Sequence, residues 1–156
     1  MKKAIALLLA LVMASALCAC GGGGDSASGD KVVKIGVFEP ASGDSGAGGK
    51  KEMLGMQYAN QETPTVEIGG ETYKVELVYS DNGSDSAKAV SAASKLVNEK
   101  VSLVLGSYGS GVSIAASDTF KQAGLPAIGV ACTNPDVTAG NSHDFRICCL
   151  APFQGT

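Results

Sequence analysis

The chain of 156 residues contains no tryptophan, a single histidine and few aromatic side chains, which make up 5% of its residues. It also lacks an excess of positive charge, because 12 basic against 15 acidic residues give a net charge of −3. Nucleic-acid-binding proteins combine a basic surface with aromatic side chains that stack on bases. We therefore expect no nucleic-acid partner. A hydrophobic content of 45% with 17% charged residues is instead typical of a globular protein.

Clusters of catalytic or metal-binding side chains are equally scarce. The only histidine, His143, lies in a predicted loop, and no cysteine or histidine pair has the spacing of a zinc site. Neither Ser107 nor Ser110 stands in the G-x-S-x-G pattern of a serine hydrolase. The sequence therefore predicts no metal ion, no cofactor and no enzymatic activity.

The apolar run Ala4–Met13 is too short to span a bilayer, which takes about 20 apolar residues. It follows Lys2 and Lys3 and precedes small residues, which is the pattern of an export signal. The end of this leader resembles a bacterial lipobox, in which Cys20 receives the lipid. An ordinary soluble signal peptide with incidental cysteines is the alternative.

This interpretation divides the chain into three parts. Residues 1–19 are a lipoprotein signal peptide, residues 20–30 a lipid-anchored flexible linker rich in glycine and serine, and residues 31–156 one folded domain. Two acyl chains hold a domain stably at a membrane, where one would not. Loss of the leader with its two lysines changes the net charge from −3 to −5.

The five cysteines do not form an obvious disulfide framework. Two of them lie in the leader, and Cys148 and Cys149 are adjacent, so they are poor partners for each other. Cys132 could bridge to either, but we expect a buried free thiol.

Strands and helices alternate after Lys31. The predicted strands are 32–38, 73–79, 101–105, 126–130 and 145–149, and the predicted helices are 50–60, 87–99, with Asp85 as a candidate N-cap, and 113–123. Residues 63–70 are interpreted as a turn. This alternation predicts an α/β fold with a parallel sheet and flanking helices. Such sheets bind ligands at the carboxyl ends of their strands, where the strand order reverses.

Three polar or glycine-rich turns follow predicted strands, over residues 39–49, 106–113 and 131–135. The first does not match a phosphate-binding loop, because Asp44 and Lys51 stand where that motif needs Gly and Ser or Thr. In the second, glycines and Ser110 precede a helix, where free N–H groups favour an anion. Each turn has a purely structural alternative, a tight connection without a ligand.

The order of these segments resembles the Leu/Ile/Val-binding proteins, a branch of the type I periplasmic binding proteins. The similarity runs through residues 35–43, Asp81, residues 87–97, 106–117, 124–128, 131–135 and 145–156. It implies a Rossmann-like first lobe of a two-lobed receptor that clamps an amino acid and delivers it to an ABC permease. By the matched motifs, Ser110 is implied to donate to the ligand carboxylate, the Ala131 carbonyl to accept from the ammonium, and Thr133 to add a hydroxyl and an N–H.

The sequence departs from this family at three places. Gly48 stands where several members have an aromatic residue over the ligand side chain, and Ser84 and Gly109 stand where some have a disulfide. The chain ends at Thr156, before a second lobe, so we expect a fragment that binds amino acids weakly or not at all by itself.

The leading interpretation is a lipid-anchored, extracytoplasmic receptor of an ABC importer for a branched-chain or related amino acid. A sensor domain of the same fold is the alternative. An extracellular enzyme ranks third, because the sequence offers it no nucleophile–base pair.

Overall fold

A computed structural model describes residues 31–155. The predicted signal peptide, Cys20 and the linker therefore lie outside the described residues. The elements in chain order are β1 (Val32–Val37), α1 (Gly46–Glu62), β2 (Thr65–Ile68), β3 (Glu71–Tyr79), α2 (Ser86–Asn98), β4 (Leu103–Leu105), α3 (Ser110–Gln122), β5 (Ala127–Gly129), a 3₁₀ turn (Pro135–Val137), β6 (Asp144–Arg146) and α4 (Ala151–Gln154).

The strands form one six-stranded sheet in the order β2-β3-β1-β4-β5-β6. All neighbours are parallel except β2, which runs antiparallel to β3. The chain builds outward from β1 first on one side, to β3, and then on the other, to β4. The strand order therefore reverses between β1 and β4, and the predicted α/β fold with a mostly parallel sheet is confirmed.

The core lies between the sheet and the two helices α2 and α3. Buried side chains from the sheet and from both helices meet there, among them Leu96 of α2, Val104 of β4 and Phe120 of α3. The ring of Phe38 packs edge-to-face against that of Phe120, with 5.4 Å between centroids. This packing fixes the C-terminal part of α3 relative to the end of β1.

Within residues 31–155, the opposite face of the sheet is covered by α1. An apolar cavity of about 730 Å³ lies between that helix and the strands. The central strands β1, β3 and β4 contribute six apolar side chains to its lining, which together form the α1 face: Val33, Ile35, Val75, Leu77, Leu103 and Leu105. Side chains alternate between the two faces of a strand, so Leu103 and Leu105 line this cavity while Val104 enters the core.

Strand β2 corrects the interpretation of residues 63–70 as a turn. Residues Thr65–Ile68 pair with β3, and only Gly69 and Gly70 form the connection, with φ values of +60° and +82°. Positive φ at both central residues is the geometry of a tight hairpin, which glycine adopts without strain. Val66 and Ile68 do alternate with polar residues, but the strand has only four residues, all exposed, and the flanking Pro64, Gly69 and Gly70 favour a turn.

Two helices begin earlier than the sequence predicts. α1 begins at Gly46 rather than Lys50, and α3 begins at Ser110 rather than Ser113. Glycine-rich segments are poor helix formers by propensity, but Gly49 is buried, and a Cβ there would lie 2.3 Å from the Pro40 carbonyl oxygen. Close packing against the preceding loop thus stabilises the helical conformation of these glycines. The predicted N-cap of α2 is confirmed, since the Asp85 carboxylate accepts from Ala87 N at 2.8 Å.

Cys132, Cys148 and Cys149 are all free thiols, and Cys132 is fully buried, as predicted. Within residues 31–155 no three His, Cys, Asp or Glu side chains are arranged to hold a metal ion. Over the same residues, no helix is both long and apolar enough to cross a bilayer.

Candidate functional site at the strand-order reversal

The loop after β1 is attached to the end of β3 by one carboxylate. Asp81 accepts hydrogen bonds from the backbone N–H groups of Ala41 (2.8 Å), Ser42 (3.3 Å) and Gly83 (2.8 Å), and from the Ser42 hydroxyl (2.7 Å). Desolvation acts to raise the pKa of Asp81, but these hydrogen bonds outweigh it and hold the pKa below its usual range. The carboxylate is therefore charged at neutral pH and fixes one wall of the site.

A buried polar network forms the floor of the site. The Asn82 amide donates to the Phe38 carbonyl and to the Ser107 hydroxyl, both at 3.1 Å. The Cys132 thiol donates to the Ser107 carbonyl at 2.7 Å, and burial raises the pKa of this thiol, which keeps it protonated. The ends of β1, β3, β4 and β5 are thus tied together by side chains rather than by the sheet alone.

The N-terminus of α3 opens onto this floor without a side-chain cap. Gly109 is the N-cap and Ser110 the first helical residue. The first N–H groups of a helix have no partner inside it and carry a partial positive charge. They border a cavity of about 220 Å³ whose lining includes Ser45, Ser84 and Ser107. This is a neutral, hydroxyl-rich recess with N–H donors at one end, which suits a carboxylate.

The turn after β5 lies beside this helix start. The Ser110 hydroxyl accepts from Asn134 N at 3.3 Å, which joins the two turns directly. Arg146 of β6 holds the same segment from below, donating to the Cys132 carbonyl at 3.0 Å and to the Thr138 hydroxyl at 2.8 Å. The fold therefore brings together Ser110 and the segment that contains Ala131 and Thr133, all half-buried.

Two groups of this segment are available to a ligand. Among the described residues, neither the Ala131 carbonyl nor the Thr133 hydroxyl has a hydrogen-bond partner, while the Thr133 carbonyl accepts from Ala151 N at 2.8 Å. One acceptor and one hydroxyl thus lie near the N–H groups of α3. The roles predicted for Ser110, Ala131 and Thr133 remain predictions, but their grouping is a property of the fold.

Two residues of the site escape detection from sequence. The Tyr108 ring lies against Gly48, where an added Cβ would be 2.6 Å from the ring atoms Cε2 and Cζ. The Tyr108 ring therefore supplies an aromatic surface beside Gly48, the position at which several members of the family have an aromatic residue. Glu39 is buried directly after β1, and its Oε2 accepts from Tyr108 N at 2.8 Å. An isolated Tyr in a loop and a Glu after a strand carry no motif, so only the fold could identify them.

Comparison with known proteins agrees with this geometry. The profile of the family described as periplasmic binding protein matches residues 32–150. The Leu/Ile/Val-binding protein homolog 2 of Brucella abortus is 32% identical over 124 residues, which cover 79% of this chain and 33% of that protein. The chain thus spans about a third of the length of the curated relatives it matches.

Solved structures give the same result. A leucine-binding protein of Thermotoga maritima superposes with a TM-score of 0.73 at 38% identity, over 80% of this chain and 35% of that one. A branched-chain amino acid transporter substrate-binding protein of Streptococcus pneumoniae, in complex with isoleucine, gives a TM-score of 0.69 at 32% identity, over 77% of this chain and 34% of that one. The expectation of a binding protein rather than an enzyme is confirmed by this kinship. The chain belongs to the periplasmic binding protein family and, within it, to the Leu/Ile/Val-binding proteins.

Proposed function

We propose that residues 31–156 are the amino-acid-binding first lobe of an extracytoplasmic receptor that serves an ABC permease, and that its ligand is a branched-chain or related amino acid. The observation that carries the proposal is the uncapped start of α3, joined through Ser110 and Asn134 to a turn with a free carbonyl and a free hydroxyl. Relatives named for leucine, isoleucine and valine support the ligand class.

The two ends of an amino acid headgroup match the two halves of this site. In the proposal, the ligand carboxylate accepts from the N–H groups at the start of α3 and from the Ser110 hydroxyl. The ammonium donates to the Ala131 carbonyl, and Thr133 contributes its hydroxyl and N–H. The Tyr108 ring, with 42% of its surface exposed, provides an apolar surface for the ligand side chain.

The length of the chain affects the expected affinity for the ligand. The relatives extend over about three times the length matched here, and we propose that the complete receptor clamps its ligand between this lobe and a second one. Residues 31–156 alone then supply only part of the contacts, so leucine should bind them weakly.

Cell attachment forms the second half of the proposal. Residues 1–19 would be removed on export, Cys20 would be lipidated and residues 20–30 would tether the domain outside the membrane. Mass spectrometry of the exported protein tests this, because the proposal requires an acylated N-terminal Cys20, and an unmodified N-terminus elsewhere would refute it. A Cys20→Ala variant should lose the modification, whereas Cys18→Ala should keep it.

The ligand site is tested by NMR of the chain during titration with leucine. We expect amide shifts concentrated at residues 110–112 and 133, with half-saturation well above micromolar concentration. Leucinamide, which lacks the carboxylate, should leave the α3 amides unmoved. Ser110→Ala should weaken the response, and Ser91→Ala, an exposed serine on α2, serves as the matched control. Micromolar affinity, or shifts that avoid α3, would contradict the proposal.

A further inference from the structure

Two carboxyl groups lie in contact beneath the candidate site, one on each side of the gap between β1 and α1. Glu39 follows β1 and is only 1% exposed. Its Oε2 accepts from Tyr108 N, whereas its Oε1 is buried and has no donor in the described part of the chain. On α1, Oε2 of Glu52 is likewise buried without a donor. A buried carboxylate oxygen without a partner is costly, so both oxygens require an explanation.

A single proton explains both of them. The two side chains are within hydrogen-bonding reach of each other, and a carboxylic acid can donate to a neighbouring carboxylate. Two carboxylates in contact cannot both ionise easily, because each charge raises the pKa of the other group. Burial, followed by the contact with Glu52, raises the pKa of Glu39 to about 9. Burial raises the pKa of Glu52 as well, but there the contact with Glu39 acts to lower it, so Glu39 holds the proton more tightly than Glu52 does.

The surroundings offer no other compensation. The groups that act on Glu39 are the Glu52 carboxyl from α1, the Tyr108 N–H from the turn after β4 and the Cys132 thiol beyond β5. Within residues 31–155, no lysine, arginine or histidine forms an ion pair with either carboxyl. Gly106 closes the remaining side, since a Cβ there would lie 2.6 Å from Glu39 Oε1.

We propose that Glu39 and Glu52 share one proton at neutral pH and that this pair is a proton-dependent clamp, which holds the turn of Tyr108 and Ser110 in register with α1. Glu39 reaches the turn through Tyr108 N and reaches α1 through Glu52. Among the described elements α1 covers this side of the sheet, and the pair is a polar link across a largely apolar interface. Glu39 and Glu52 are thus positioning residues, and any effect on ligand affinity rests on the function proposed above.

The pH dependence follows from the raised pKa of Glu39. The folded chain keeps a proton that an unfolded glutamate releases above about pH 4.5. Folding at pH 7 therefore takes up one proton, and the stabilisation by the pair is fully present below about pH 4.5 and is lost as the pH rises from there through about 9. Above pH 9 two adjacent negative charges push the turn and α1 apart.

The test uses the full chain without ligand and follows the Tyr108 amide by NMR from pH 5 to pH 10. In the unsubstituted protein this amide should titrate with a midpoint near 9, and an infrared band of a protonated carboxylic acid should disappear over the same range. Glu39→Gln should abolish both signals. Glu52→Gln replaces the second charge by an amide donor, so the midpoint should fall by about one pH unit or more, a tenfold loss of proton affinity. Glu62→Gln on the same helix, at an exposed carboxylate, is the matched control.

Proton uptake on refolding at pH 7 gives a second measurement. One proton per molecule is expected for the unsubstituted chain and for Glu62→Gln, and none for Glu39→Gln. The proposal is overturned if the Tyr108 amide does not titrate, if Glu52→Gln leaves the midpoint unchanged, or if refolding takes up no proton. None of these measurements involves leucine, so failure of the ligand titration leaves the clamp standing, and failure of the clamp leaves the ligand site standing.

Discussion

Single side chains at this site act mainly as ties between loops. Asp81 connects the turn after β3 with the loop after β1 through three hydrogen bonds, and a fourth, from Gly83 N, lies within its own turn. Arg146 connects β6 with the turn after β5. Neither side chain belongs to the proposed ligand contacts. Both nevertheless determine the positions of the groups that would contact the ligand.

Replacement of Asp81 by alanine should loosen the first loop. We expect Asp81→Ala to lower the free energy of unfolding by about 1–2 kcal/mol at pH 7, because several hydrogen bonds to a charged group are lost. The pKa of Asp81 is lowered in the folded chain, so this stabilisation is present above the usual Asp pKa of 3.8 and is lost as the pH falls below it. Urea unfolding at pH 7 and pH 3 measures the difference in the free energy of unfolding between the variant and the unsubstituted chain. This difference should be smaller at pH 3.

Asp44→Ala, at an exposed carboxylate of the same loop, should leave the stability nearly unchanged. If the free energies of unfolding of Asp81→Ala and the unsubstituted chain differed by the same amount at both pH values, the charge of Asp81 would not contribute to stability.

The sequence indicated the residues of the site only where a turn had a recognisable composition. Ser110, Ala131 and Thr133 lie in turns rich in small and polar residues, and family resemblance added their expected roles. Tyr108 and Glu39 became visible only through tertiary contacts, with Gly48 and with Glu52. Neither contact has a fixed spacing along the chain, so no periodicity could reveal it.

At the scale of elements, α1 shows how glycine can have opposite effects within one helix. Gly49 faces Pro40 at close range, whereas a Cβ at Gly55 would meet no atom within 4 Å.

Long, strongly periodic elements such as α2 were predicted nearly to their ends. Elements built on glycine or on exposed strands, such as the start of α1 and the whole of β2, were missed because packing and pairing determine them.

Alanine substitutions at these two glycines should shift stability in opposite directions. Gly55→Ala should raise the free energy of unfolding by about 0.5–1 kcal/mol, since alanine loses less backbone entropy in a helix. Gly49→Ala should lower it by about 1–3 kcal/mol, because its Cβ would lie 2.3 Å from the Pro40 carbonyl oxygen. Thermal and urea unfolding of both variants provides the measurement. Stabilisation by both would mean that α1 can shift away from the loop freely.

Across the whole molecule, the two faces of the sheet are unequal. The buried core lies between one face and the helices α2 and α3, while the α1 face borders a cavity of about 730 Å³. Apolar surface of this extent favours association with other apolar groups.

Charge placed on the two faces of β4 should therefore have different effects. Leu103→Lys, on the α1 face, should leave the chain folded and reduce its binding of an apolar fluorescent dye. Val104→Lys, one residue further on and fully buried in the core, should prevent folding, because an unpaired charge would be buried. Circular dichroism and dye fluorescence distinguish the two. Equal unfolding by both variants would show that the α1 face is packed as tightly as the core.

The central position of β1 has a consequence for the order of events in time. β1 is the first strand along the chain, yet its two partners come later: Val32 lies beside Lys74 of β3, and Ile35 lies beside Leu103 of β4. A chain that emerges from its N-terminus therefore carries β1 without neighbours until β3 has emerged, and with one free edge until β4 follows. Pairings so distant in sequence are slow to form. We expect β1, β3 and β4 to pair late and together, once Leu105 has emerged, and β5 and β6 to join them afterwards.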